Sequence, residues 1–122
     1  MTPVVFDSSF LISIADRPTN WREDITQIVG GFAPIKLDCV MDELKALATK
    51  TGSRSKSAAV AIEIASEFKA APCREGDVDS EIASYARTNG AVVASMDGEL
   101  LRSLKASRVR CVTLRGGRVA LF

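Results

Sequence analysis

A chain of 122 residues, 47% apolar, 25% charged and with a net charge of +1, suits one core, with residues 1–122 as a single domain. It lacks the global positive field of an indiscriminate nucleic-acid binder, so any such contact must be a local patch. The absence of histidine excludes histidine-based triads, the paired-histidine scheme of metal-free ribonucleases and histidine-ligated zinc.

Val4-Val5-Phe6 reads as a strand ending at Asp7-Ser8-Ser9, followed by a helix that stops at Asp16-Arg17-Pro18. A second helix runs from an Asn20 cap to Val29 and is closed by Gly30-Gly31. Pro34 to Val40 suits a strand and Met41 to Lys50 a helix stopped by Gly52. The polar, basic Ser53 to Ser57 is expected to be mobile, before an Ala-rich helix with Val60, Ile64 and Phe68 in one inward row. A brief strand is expected at Pro72-Cys73-Arg74.

Asp77 to Thr88 reads as a helix with Ile82, Tyr85 and Ala86 inward, ended by Asn89-Gly90. Ala91 to Ser95 is a continuous apolar run, the pattern of a strand buried on both faces in a parallel sheet. A helix from Asp97 through Leu104, a strand at Arg110 to Leu114 and a short tail after Gly116-Gly117 complete the chain. Alternating strands and helices imply right-handed crossovers and a mostly parallel sheet with helices on both faces.

No apolar stretch approaches the roughly 18 to 20 residues that cross a bilayer, and the N-terminus has no secretory pattern, so a cytoplasmic location is expected. The well-separated Cys39, Cys73 and Cys111 give neither an even disulfide set nor zinc-ligand spacing, and are expected to be reduced, buried and apolar in character.

In open parallel sheets ligands bind beyond the carboxyl ends of the strands. Asp7 ends the first strand and Asp97 follows the Ala91 to Ser95 strand, while Glu43 and Asp79 fall near the starts of helices. Singly, each suits a helix cap or a first-turn acid. Together they converge on one edge, where carboxylates repel one another unless protons or cations neutralise them. Oxygen-only ligands without sulfur or imidazole select Mg2+ or Mn2+.

These residues resemble the PIN-domain family, which includes VapC toxins and the archaeal and eukaryotic endonucleases of ribosomal RNA processing. Val4 to Leu11 is similar to its opening motif, Val40-Met41-Asp42-Glu43-Leu44 to its second and Asp79-Ser80-Glu81-Ile82-Ala83 to its third. Val92 to Leu100 resembles the strand, hydroxyl, Asp, Glu-Leu pattern of the processing branch. The resemblance implies a three-layer α/β/α fold with a roughly five-stranded sheet of order 3-2-1-4-5, placing Asp7 beside Asp97. It further implies a Mg2+- or Mn2+-dependent endoribonuclease in which Asp7, Glu43, Asp79 and Asp97 bind metal and Ser9 and Ser95 are supporting hydroxyls. Ser80 stands where relatives often carry a second acid, which puts a second ion in doubt; Glu81 or Glu99 would have to compensate.

The implied substrate is single-stranded or structured RNA, with Lys45, Lys50, Arg54, Lys56, Arg102, Lys105, Arg115 and Arg118 as candidate phosphate contacts. Each of these also suits a solvated surface. Trp21 and Tyr85 are candidates to stack on a base, and Trp21 and Phe32 to cover a homodimer interface. A pre-ribosome or an antitoxin is the alternative partner, according to whether the chain is a processing enzyme or a toxin.

A phospho-receiver domain would need a phosphorylatable Asp after its third strand, where Cys73-Arg74-Glu75 stands, and a Lys after its fifth, where Arg115 stands. A haloacid-dehalogenase-like phosphatase would need an Asp at Ser9. A PIN fold that has lost catalysis and serves as a scaffold or RNA-binding module is the remaining alternative.

Overall fold

The computed structural model describes residues 1–74 and 76–122. Glu75, part of the segment weighed for a receiver-type Asp, lies outside the described residues. The elements run β1 (Thr2–Phe6), α1 (Ser8–Asp16), α2 (Trp21–Val29), β2 (Phe32–Leu37), α3 (Asp38–Ala48), α4 (Ser53–Ile64), a 3-10 turn (Ala65–Glu67) and β3 (Lys69–Ala71). They continue with α5 (Val78–Asn89), β4 (Val92–Ala94), α6 (Gly98–Ala106), β5 (Cys111–Arg115) and β6 (Arg118–Leu121).

Val4, Val5 and Phe6 of β1 are wholly buried, as a strand with apolar residues on both faces must be when helices cover both sides. The sheet has the order β3-β2-β1-β4-β5-β6. Every pairing is parallel except β5 with β6. The chain moves outward from β1 to β2 and β3, then returns to pair β4 on the other side of β1. Right-handed crossovers therefore put α1, α3 and α4 on one face and α5 and α6 on the other. The strand order reverses between β1 and β4, and this junction positions the site.

Phe6 centres the core on the α1 side, with ring centroids 5.6 Å from Phe10, 5.4 Å from Trp21 and 5.0 Å from Phe68. Truncating Phe6 to Ala would cost about 3 to 5 kcal/mol through lost burial and the cavity left behind.

Several expectations need correction. The sheet has six strands rather than five, because the tail folds back as β6. Gly116 and Gly117 take φ of 56° and 78°, the left-handed pair of a tight hairpin turn that side chains would disfavour. β3 lies just before the expected Pro72 to Arg74. Ser53 to Ser57 is not a loop but the opening of α4. That helix turns Ala58 and Ala61 inward, as the following 3-10 turn does Ala65, and leaves Val60 43% exposed, since small residues allow close approach to α1 and α3. Trp21 and Phe32 are core residues, each only 9% exposed, so neither offers an apolar dimer surface or a ring for a base.

The cysteines also differ from expectation. Cys39 and Cys73 form a disulfide with Cα atoms 6.0 Å apart, and both are half-buried. Parallel pairing puts Leu37 opposite Ala71, and each cysteine lies two residues beyond that pair. Cys111 is free and buried, and burial pushes its thiol up to about 11, which leaves it unreactive.

Candidate active site

Asp7 follows β1 directly and starts α1, with its backbone N–H donating to the Ala94 carbonyl of β4 at 2.9 Å. Its carboxylate is buried, 6% exposed, and two hydroxyls compensate. Ser9 Oγ donates to Asp7 Oδ2 at 2.6 Å and Ser95 Oγ to the same oxygen at 2.8 Å. Each serine is fixed in turn by a backbone donor: Met96 N–H to Ser9 Oγ and Asp97 N–H to Ser95 Oγ, both at 3.0 Å. The β1 and β4 ends are thereby tied through one oxygen, while Asp7 Oδ1 accepts no hydrogen bond among the described residues.

Asp97 caps α6, its Oδ1 accepting from the N–H groups of Glu99 and Leu100, and it is exposed. Glu43 stands in the second turn of α3, where Ser8 Oγ donates to its Oε1 at 3.1 Å and ties it to the residue after Asp7. Asp79 is the second residue of α5. Partial burial and the neighbouring negative charges of Asp7 and Asp79 hold the Glu43 carboxyl above its ordinary value, against the Ser8 hydrogen bond. Asp79 is raised likewise by burial and by Asp7, Asp97, Asp77 and Glu99. The four expected acids therefore share one electrostatic neighbourhood, and Glu99 joins it.

The expected supporting residues divide. Ser80 belongs to the α5 cap, its N–H donating to Asp77 Oδ1 at 2.8 Å and its hydroxyl to Oδ2 at 3.2 Å. Those bonds lower the Asp77 pKa. Glu81 lines a hollow with Tyr85, Arg74 and Leu37, whereas Glu99 shares a groove with Asp79. The sequence reading gave no role to Ser8, although the Asp-Ser-Ser run at a strand end was its signal.

Among the basic candidates, Arg54 lines a groove with Ser9, Ser13 and Met96, on the α1 side of the acids. The Arg102 guanidinium lies over Gly98, where an added Cβ would sit 3.0 Å from it, and so beside Asp97 at the start of α6. Arg118 is instead committed to Asp24 at 3.0 Å, and Lys105 rests over the Phe122 ring at 5.6 Å. Lys45, Lys50, Lys56 and Arg115 are exposed, with no hydrogen bond or ion pair to the acids among the described residues.

The donor set fits a hard divalent cation in kind, since it offers carboxylate and hydroxyl oxygens whose mutual repulsion a cation would relieve. Its spacing is open: among the described residues, no three Asp, Glu, His or Cys side chains stand close enough to hold one ion as they are. No described helix is long and apolar enough to cross a membrane.

Among curated proteins none matches the chain. Solved structures do. The PIN domain endonuclease Utp24 superposes with a TM-score of 0.79 at 20% identity, over 98% of this chain and 90% of that one. A domain of a functionally unknown protein from Methanocaldococcus jannaschii gives 0.68 at 18%, over 95% and 93%. PAE2754 from Pyrobaculum aerophilum gives 0.54 at 18%, over 83% and 78%. At these identities the likeness is one of fold. The family model described as PIN like domain matches residues 4–117, and the chain belongs to that family.

Proposed function

We propose that residues 1–122 form one PIN domain that acts as a metal-dependent endoribonuclease, hydrolysing RNA phosphodiester bonds at the acidic edge between β1 and β4. The observation that carries this reading is the buried Asp7, pinned through one oxygen by Ser9 and Ser95, with Glu43 and Asp79 nearby held above their ordinary values by partial burial and by neighbouring negative charge. A fold needing only a helix cap there would not gather repelling carboxylates. The similarity to an endonuclease PIN domain supports the same conclusion.

Asp7 with Glu43, Asp79 and Asp97 would hold one or two Mg2+ or Mn2+ ions. Such an ion supplies a water of lowered pKa and positive charge against the charge developing on the phosphodiester. Ser9 and Ser95 keep Asp7 from turning away, and Ser8 orients Glu43 towards it. Arg54 and Arg102, on either side of the acids, bind flanking phosphates. Glu99 takes the place that Ser80 leaves without an acid.

We assign the enzyme to RNA processing rather than to a toxin pair on the Ser95-Met96-Asp97-Gly98-Glu99-Leu100 pattern, with a pre-ribosomal particle as its setting. We keep the cytoplasm as its location, although the Cys39–Cys73 bridge speaks against the reduced thiols expected there.

The test is structured RNA incubated with purified protein and Mn2+. Endonucleolytic cuts that vanish with chelator and in Asp7→Asn support the reading. Cutting unchanged in Asp7→Asn reveals a contaminant and sinks it. Specific RNA binding without cutting favours the scaffold.

A further inference from the structure

A groove that begins at two of the acids adjoins a second hollow further along α5 and α6. Asp79 and Glu99 line the groove with Ser103, Arg87 and Ser107, between α5 and α6. Arg87 and Ser107 then also line the adjoining hollow, together with Arg108 and Arg110. That hollow lies at the opposite edge of the sheet, since Ala91 leads into β4 and Arg110 into β5. The two hollows adjoin at Arg87 and Ser107, and together they mark a path from the carboxylates to a concavity lined by three arginines.

None of the three arginines makes an ion pair or a side-chain hydrogen bond among the described residues, where Arg118 with Asp24 is the one salt bridge. Nor is the cluster an accident of flexible chain. Arg108 is the one non-glycine residue with positive φ among the described residues, at 62°, a backbone that residues with a side chain seldom adopt. Its N–H is fixed to the Lys105 carbonyl at 3.0 Å and that of Val109 to the Leu104 carbonyl at 2.9 Å. The end of α6 therefore turns Arg108 into the hollow beside Arg110, despite the repulsion between like charges.

We propose that this channel carries a single RNA strand away from the acids, with Arg87, Arg108 and Arg110 gripping phosphates a few nucleotides from the cut bond. The identity of the strand rests on the nuclease reading. Guanidinium forks match phosphate oxygens bidentately, and Ser103 and Ser107 offer hydroxyls to phosphates or 2′-hydroxyls. Among the described residues no aromatic side chain lines either section, so the grip is on the backbone and carries little base preference. The twelve residues of α5 span roughly 18 Å, the reach of a few nucleotides of extended strand.

The test compares the full chain with the R87Q/R108N/R110Q variant, Asn being chosen because it tolerates positive φ. Affinity for a 12-nucleotide single-stranded RNA is measured in chelator across a salt series, with R17Q/K36Q/K69Q, three basic residues remote from the channel, as a charge-matched control. We expect affinity to fall about tenfold or more, and the salt slope to shrink by about 2, from roughly 0.7 per lost phosphate contact. The control should show neither change. If the triple variant does not fold, R87Q/R110Q gives the same reading with a smaller change. Unchanged affinity and slope, or an equal loss in the control, overturns the channel even if Mn2+-dependent cutting persists. Wild-type protein that binds through these arginines but never cuts keeps the channel and refutes the nuclease.

Discussion

Ser95 Oγ stands between the two acids that end β1 and follow β4, donating to Asp7 Oδ2 at 2.8 Å while accepting from the Asp97 N–H at 3.0 Å. It is wholly buried, so its hydroxyl has no water to fall back on. Ser95→Ala leaves the buried Asp7 with Ser9 alone and orphans the Asp97 donor. We expect a loss of about 1 to 3 kcal/mol in stability and about 10- to 100-fold in metal affinity or cutting rate, the usual effect of removing a group that orients a ligand. Denaturant melts and Mn2+ titrations check both. Full activity would show that Asp7 needs no such support.

Glu43 and Asp79 are held above their ordinary values by burial and neighbouring acids, so they oppose folding once ionised. A carboxyl with a raised folded pKa keeps its proton longer in the native state. Metal-free stability should therefore fall as pH rises from the ordinary carboxylate range through the raised values. Asp79→Asn removes one repelling charge, and in chelator at neutral pH it should melt at a higher temperature than wild type while losing activity. Equal or lower melting would contradict the repulsion argument.

The same repulsion predicts a response to metal. Millimolar Mg2+ or Mn2+ should raise the melting temperature of the wild type, by about 1.4 kcal/mol of stability when the ion is at tenfold its dissociation constant. Asp7→Asn should reduce that shift. No shift in the wild type at any millimolar concentration would favour a scaffold that has lost its ions.

Away from the site, Asp24 is buried, accepts from Arg118 Nε and Nη2 and from the Val119 N–H at 3.0 Å, and joins α2 to β6. The Arg118 and Val119 hydrogen bonds hold its carboxyl below the ordinary value. Its contribution is complete above the ordinary carboxylate pKa and disappears as pH falls through the lowered one. Asp24→Asn should therefore lower the melting temperature at pH 7 and flatten the acid side of the stability profile. An unaltered acid limb would assign acid unfolding to other groups.

How far each of these features was legible in the sequence depends on whether its cause is local. Asp7 and Asp97 sit at strand ends that the apolar runs Val4 to Phe6 and Val92 to Ala94 already mark. Glu43 and Asp79 depend on how α3 and α5 are brought to the edge, and periodicity alone does not give that. Gly116-Gly117 between Arg115 and Arg118 carried a hairpin signal that a reading of the segment as a tail overlooked. In α4 the Val60 and Ala61 rows have equal helical spacing, and only the closeness of α1 and α3 decides for alanine. Arg87, Arg108 and Arg110 meet because α5, α6 and β5 converge, which no spacing along the chain encodes.

Cys39 and Cys73 illustrate the same limit and give the last prediction. They are 34 positions apart with no local motif, and the β2–β3 register brings them face to face. Their bridge joins the start of α3, which carries Glu43, to the segment leading into α5, which carries Asp79. Closing a loop of that length restricts the unfolded chain by about 3 to 4 kcal/mol in the loop-entropy description. For a domain of this size that corresponds to roughly 10 to 20 °C in melting temperature. Cys73→Ala, or a strong dithiol reductant on the wild type, should each produce the drop, and reductant should do nothing more to the variant. Cys111 is the control: being buried, it should not react with a thiol reagent until the protein unfolds, and reductant acting equally on Cys73→Ala would refute the bridge.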